Sequence, residues 1–119
     1  MNLTLLHVAL GGAVGAMLRY SIASHVAFPY GTLIVNIVGS FVMGLALVLM
    51  VEKGLDRWVP LVMVGLLGGF TTFSSFSLDT LRLFESGRAV AALGYVAASV
   101  SFSIAALIVA VVLMRGIQG

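Results

Sequence analysis

Apolar residues fill this chain in four long blocks separated by short polar stretches. The blocks run roughly over residues 3–23, 31–51, 59–78 and 89–114. Each is close to the ~20 residues that an α-helix needs to cross a bilayer. The pattern predicts an all-α membrane protein, a single four-helix transmembrane domain spanning residues 1–119. The connecting stretches agree. Residues 24–31 hold a proline among aromatics, and residues 52–58 are charged and end in Trp58, placed as an interfacial anchor.

The third block departs most from a plain lipid-crossing pattern. Residues 68–77 contain two adjacent glycines, five hydroxyl side chains and three phenylalanines. Backbone groups freed by a helix break in hydrocarbon each need another partner, at a cost of several kcal/mol. Irregular backbone at membrane depth therefore belongs where it is buried in protein or lines a polar pathway. This stretch predicts a broken third helix at an ion or substrate site. In the first block, Gly11 and Gly15 have the small-xxx-small spacing that lets two helix backbones approach closely.

Composition narrows the function classes. With 119 residues, 61% of them hydrophobic, 8% charged and a mean hydropathy of +1.21, the chain has no room for a soluble catalytic or binding domain. Cysteine is absent, which removes disulfides and thiolate chemistry. The first apolar run has neither a charged leader nor a small-residue cleavage pattern, so it is expected to be a retained span. The net charge of +2 is dispersed and does not suggest nucleic-acid binding.

Four spans put both termini on one side. That side carries Lys53, Arg57 and Arg115, and the opposite side carries Arg19, Arg82 and Arg88, three against three. Orientation follows the excess of Lys and Arg on the cytoplasmic side. With no excess, the expectation is dual topology, which permits an antiparallel homodimer.

The polar residues within the spans are the candidates for chemistry. Asn36 has two readings, interhelical glue or a pore-facing donor to an anion. Phe73 and Phe76 share a helix face, and their electropositive ring edges suit a small anion as well as they suit packing. Ser74 and Ser77 share a face, and Tyr95, Ser99 and Ser103 form one stripe of the fourth span. A ladder of weak hydroxyl donors suits conduction, in which an ion is held well enough to enter and loosely enough to leave. Arg19 reads either as an ordinary interfacial snorkeller or as a vestibule residue that concentrates anions. Neither His7 nor His25 has a second ligand at metal spacing.

Three ordered motifs now come together: Gly11, Gly12, Gly15, Ala16, Arg19 and Tyr20; Gly31, Thr32, Leu33, Val35, Asn36, Gly39, Ser40 and Phe41; and the whole of residues 68–77. In this order and spacing they resemble the signatures of the Fluc (CrcB) fluoride channel family, over essentially the whole chain. The resemblance implies a dual-topology antiparallel homodimer with two fluoride pores in a bacterial inner membrane. It also implies a structural Na⁺ at the dimer interface, held by backbone carbonyls that fall here on Gly68 and Thr71. It places the pore on Asn36, Phe73, Phe76, Ser74, Tyr95, Ser99 and Ser103, and the vestibule arginine on Arg19.

Competing readings are a small proton-coupled dual-topology exporter and a non-transporting assembly subunit. Proton coupling needs a titratable group in the membrane. Glu52, Asp56, Asp79 and Glu85 are all expected at span ends or in loops. An assembly subunit leaves the hydroxyl-rich stretch unexplained. No Ser–His, paired-Asp or His-metal arrangement within the spans suggests an enzyme.

Overall fold

The computed structural model describes residues 3–118, and every regular element among them is helical. Helix α1 (Leu3–Ala23) leads into α2 (Tyr30–Ala46), which continues through a wider π-helical stretch, Leu47–Glu52. A 3-10 turn, Asp56–Trp58, enters a second π-helical stretch, Pro60–Leu67, that tightens into the short α3 (Gly68–Phe70). The chain resumes as α4 (Phe73–Glu85) and ends in α5 (Ala89–Gln118). Four helical runs among the described residues are long and apolar enough to cross a membrane: Leu3–Ala23, Tyr30–Glu52, Asp56–Glu85 and Ala89–Ile117.

Glycine sets how closely these runs pack. α1 lies along the Pro60–Phe70 half of the third run, and α2 lies along α5. Gly11 and Gly15 are buried in the first of these contacts, where a Cβ on either would overlap the backbone of Leu61 or Leu66. Gly44 plays the same part in the second, against Leu107 and Ala110. Without a hydrophobic drive between helices in lipid, such backbone-to-backbone approach supplies the van der Waals contact that holds spans together.

The ends of the runs have local causes. α4 stops in a Schellman motif: Gly87 takes φ +82°, its N–H donates to the Phe84 carbonyl, and the Arg88 N–H donates to the Leu83 carbonyl at 3.0 Å. In the loop after α1, the His25 Nδ1 donates to the Ser21 carbonyl at 2.7 Å. Arg115 near the end of α5 pairs with Glu52, where the α2 run ends, through its Nε at 3.1 Å.

The chain is thin, with principal extents of 49 × 37 × 20 Å. Only 11–28% of the most apolar window of each run is buried within it. Most of its apolar surface therefore faces outward, as lipid or a second copy requires.

Candidate functional site

The third run changes backbone conformation in its middle. Thr71 (φ −88°, ψ 157°) and Thr72 (φ −154°, ψ 118°) are extended, between α3 and α4. Local chemistry accounts for this. The Thr72 hydroxyl accepts the Ser75 N–H at 3.1 Å, which makes Thr72 the N-cap of α4. Asn36 reaches across from α2, its Nδ2 donating to the Thr72 carbonyl at 3.0 Å and its Oδ1 accepting the Thr72 N–H at 2.8 Å.

Those bonds change the carbonyls beneath. In a continuous helix the Thr72 N–H would donate to Gly68 and the Ser75 N–H to Thr71. Both donors are turned to side chains instead, Asn36 and Thr72 respectively. The Gly69 carbonyl accepts Arg19 Nε from α1, at 3.0 Å. Gly68 is exposed.

A cleft of about 360 Å³ opens beside this point, lined among others by Asn36, Thr71, Thr72, Phe73, Phe76, Ser99 and Ser103. The α4 N-terminus lies at its wall, so the partial positive end of that helix contributes to the field there. The Phe73 and Phe76 rings meet edge-on, 5.3 Å between centroids at 64°. Phe76 also packs on Tyr95, 5.5 Å away.

The serines behave differently from one another. Ser77 donates back to the Phe73 carbonyl of its own helix, the usual fate of a hydroxyl in a span. Ser99 and Ser103 do not: both hydroxyl oxygens are buried, and neither meets a partner at hydrogen-bond geometry within the chain. Buried polar groups are nearly always satisfied, so these two hydroxyls, one helical turn apart beside the cleft, mark a place where a bound water or ion completes the bonding.

The structure thus brings Asn36, Phe73, Phe76, Ser99 and Ser103 to one cleft. Other sequence candidates lie around it. Ser74 is exposed, hydrogen-bonded to the Thr72 hydroxyl at 3.2 Å, and is not part of the cleft wall. Arg19 is half-buried, with its Nε on the Gly69 carbonyl. Tyr95 is buried beneath Phe76.

One residue is placed otherwise than its sequence position suggests. Asp79, expected where the third span emerges, is 8% exposed and accepts the Tyr95 hydroxyl at 3.1 Å. It also borders a smaller cavity of about 180 Å³ with Thr32, Phe28 and Pro29. α4 continues to Glu85, which carries Asp79 into the packed region. The signal was available: Phe76, Asp79 and Leu83 follow helical spacing, and all three are buried on the α4 face toward α5.

Comparison with known proteins agrees in extent with these features. The family model described as CrcB-like protein, Camphor Resistance (CrcB), matches residues 6–111. A protein of Cereibacter sphaeroides (strain ATCC 17029 / ATH 2.4.9) named fluoride-specific ion channel FluC is 50% identical over 119 residues, covering 95% of each chain. Proteins of the same name from Paracoccus denitrificans (strain Pd 1222) and Saccharophagus degradans are 47% and 48% identical. The first covers 98% of both chains, and the second 91% of this chain and 86% of its own. By the span of the family match and the identity to these relatives, the chain belongs to the CrcB-like family.

Proposed function

We propose that the chain is a subunit of a fluoride-selective channel that lets cytoplasmic fluoride leave passively and so gives fluoride resistance. The observation that carries this reading is the pair of buried, unpartnered Ser99 and Ser103 hydroxyls on a cleft wall shared with Phe73 and Phe76. Hydroxyl donors and ring edges offer positive character without a full charge, so a small anion is stabilised without being trapped. Asn36 keeps a second amide N–H beyond the one given to Thr72, a further donor at the same wall. The names of the relatives supply the ion.

The work is done by gradients. Hydrogen fluoride crosses bilayers as a neutral acid and dissociates inside, and the inside-negative potential favours anion exit by about 2.3 kcal/mol per charge per 100 mV. A proton-coupled exporter needs a carboxylate on its substrate path, whereas Asp79, bonded to the Tyr95 hydroxyl, is not among the residues that line the larger cleft.

The channel is a dual-topology antiparallel homodimer in a bacterial inner membrane. Balanced Lys and Arg on the two sides support dual topology. The exposed Gly68 backbone beside the break supports a covering copy, since hydrocarbon cannot satisfy a freed carbonyl. A structural Na⁺ fits the same point: the Gly68 and Thr71 carbonyls have lost their helical donors, and carbonyl oxygens suit a hard cation. The ligands proposed are these backbone oxygens and not a side-chain cluster. Bound there, the ion would neutralise carbonyl dipoles that meet across the two-fold axis.

Planar bilayer recording tests the assignment. The reversal potential of the reconstituted chain should follow an imposed fluoride gradient and ignore a chloride gradient. A reversal potential that follows chloride removes the proposal.

A further inference from the structure

We propose that Asn36 is a positioning residue for the cation site: by engaging both backbone groups of Thr72 it releases the Gly68 carbonyl, so that sodium binding depends on a side chain that does not touch the ion. The inference rests on the Na⁺ reading above and adds to it the residue that makes the site.

An asparagine in a span needs partners for a carbonyl and two N–H groups. Here one residue's backbone supplies two of them, in a pairing like that between neighbouring strands, with Nδ2 on the Thr72 carbonyl at 3.0 Å and Oδ1 on the Thr72 N–H at 2.8 Å. Thr72 is correspondingly extended (φ −154°, ψ 118°). Without Oδ1, the natural acceptor for the Thr72 N–H is the Gly68 carbonyl four residues back, and the helix closes over the freed oxygen. Asn36 thereby replaces a helical acceptor with a side chain, and the released carbonyl lies at an exposed glycine.

The approach of α2 makes this possible. Gly39, on the Asn36 face of α2, is buried where a Cβ would overlap Thr71 Cγ2 and crowd the Phe70 ring. Because α2 lies that close to the break, a side chain as short as asparagine reaches Thr72. Arg19 holds the neighbouring Gly69 carbonyl from the other flank, at 3.0 Å. The two carbonyls therefore have different fates: Gly69 is occupied by a guanidinium, and Gly68 is left open.

The test is the sodium-dependent rise in melting temperature of the purified, detergent-solubilised protein, with N-methylglucamine as the replacement cation. Asn36→Asp keeps the acceptor for the Thr72 N–H but loses the donor to the Thr72 carbonyl, so it should bind sodium more tightly than Asn36→Leu, even while losing fluoride flux. Asn36→Leu, of similar volume but with no acceptor, should need about 10- to 100-fold more sodium for half the effect, as expected when a partner behind a metal ligand is removed. Equal sodium response in the parent and in Asn36→Leu overturns the role of Asn36 while leaving the cation reading standing. No sodium response in any chain overturns the cation reading and this proposal with it. Should Asn36→Leu not assemble, NMR of the parent decides. A cross-hydrogen-bond coupling from the Thr72 amide to the Asn36 side-chain carbonyl, with a sodium-sensitive Gly68 carbonyl, supports the proposal, and coupling to the Gly68 carbonyl overturns it.

Discussion

Phe73 and Phe76 meet edge to face, 5.3 Å apart and at 64°, although one is 76% exposed and the other only 8%. The buried ring is fixed from behind by Tyr95, so it holds the exposed ring in orientation at the cleft. The pair is a single structural unit with one packed end and one open end.

Phe76→Ile keeps apolar bulk and removes the ring edge. Aromatic edge contacts contribute about 0.5–1.5 kcal/mol, so fluoride efflux should fall by up to about tenfold. The elution volume on gel filtration should not change. Undiminished efflux from the variant counts against a role for the ring edge.

Asn36→Asp places a carboxylate at the cleft wall. Two like charges about 4 Å apart repel by about 4 kcal/mol at the effective dielectric of a protein surface, so fluoride flux should drop by two to three powers of ten, roughly. Stopped-flow measurement of fluoride-driven vesicle uptake checks this. An increase in flux means that the anion does not pass Asn36.

Gly69→Val should abolish recovery of folded protein. A Cβ at Gly69 would lie 2.7 Å from the Gly12 carbonyl oxygen and 3.1 Å from its Cα, both backbone atoms that have little room to yield. The sensitive feature is thus the α1 contact as much as the extended Thr71 and Thr72 nearby. A monodisperse gel-filtration peak at parental yield contradicts this.

Tyr95→Phe leaves the buried Asp79 carboxyl without its hydroxyl donor. Loss of a partner to a buried polar group costs about 1–3 kcal/mol, and the melting temperature in detergent should fall accordingly. Glu52→Gln, at the exposed pair with Arg115, should leave it unchanged, because solvent-exposed ion pairs contribute little. Equal effects from both changes would mean that burial does not separate the two interactions.

The four apolar runs were legible because hydrophobicity alone decides what crosses lipid, and the Gly11 and Gly15 contact because only small residues permit it. The residues gathered at the cleft were readable where spacing decides the face, as with Ser99 and Ser103 on α5. Partner choice was not readable. That both amide groups of Asn36 go to Thr72, and Arg19 to Gly69, depends on how closely α1 and α2 pass the third run. The π-helical turns at Leu47–Glu52 and Pro60–Leu67 likewise carry no local signal in their apolar composition. A position near a span end says nothing of burial, and the Tyr95 hydroxyl that meets Asp79 comes from the next helix.

The most direct measurement is passive fluoride efflux from liposomes reconstituted with the purified protein, read with a fluoride electrode beside a chloride-loaded control. Rapid release of fluoride with chloride retained is the result predicted by hydroxyls and ring edges lining an anion path. Fluoride held in vesicles shown to contain the assembled protein would contradict the channel assignment.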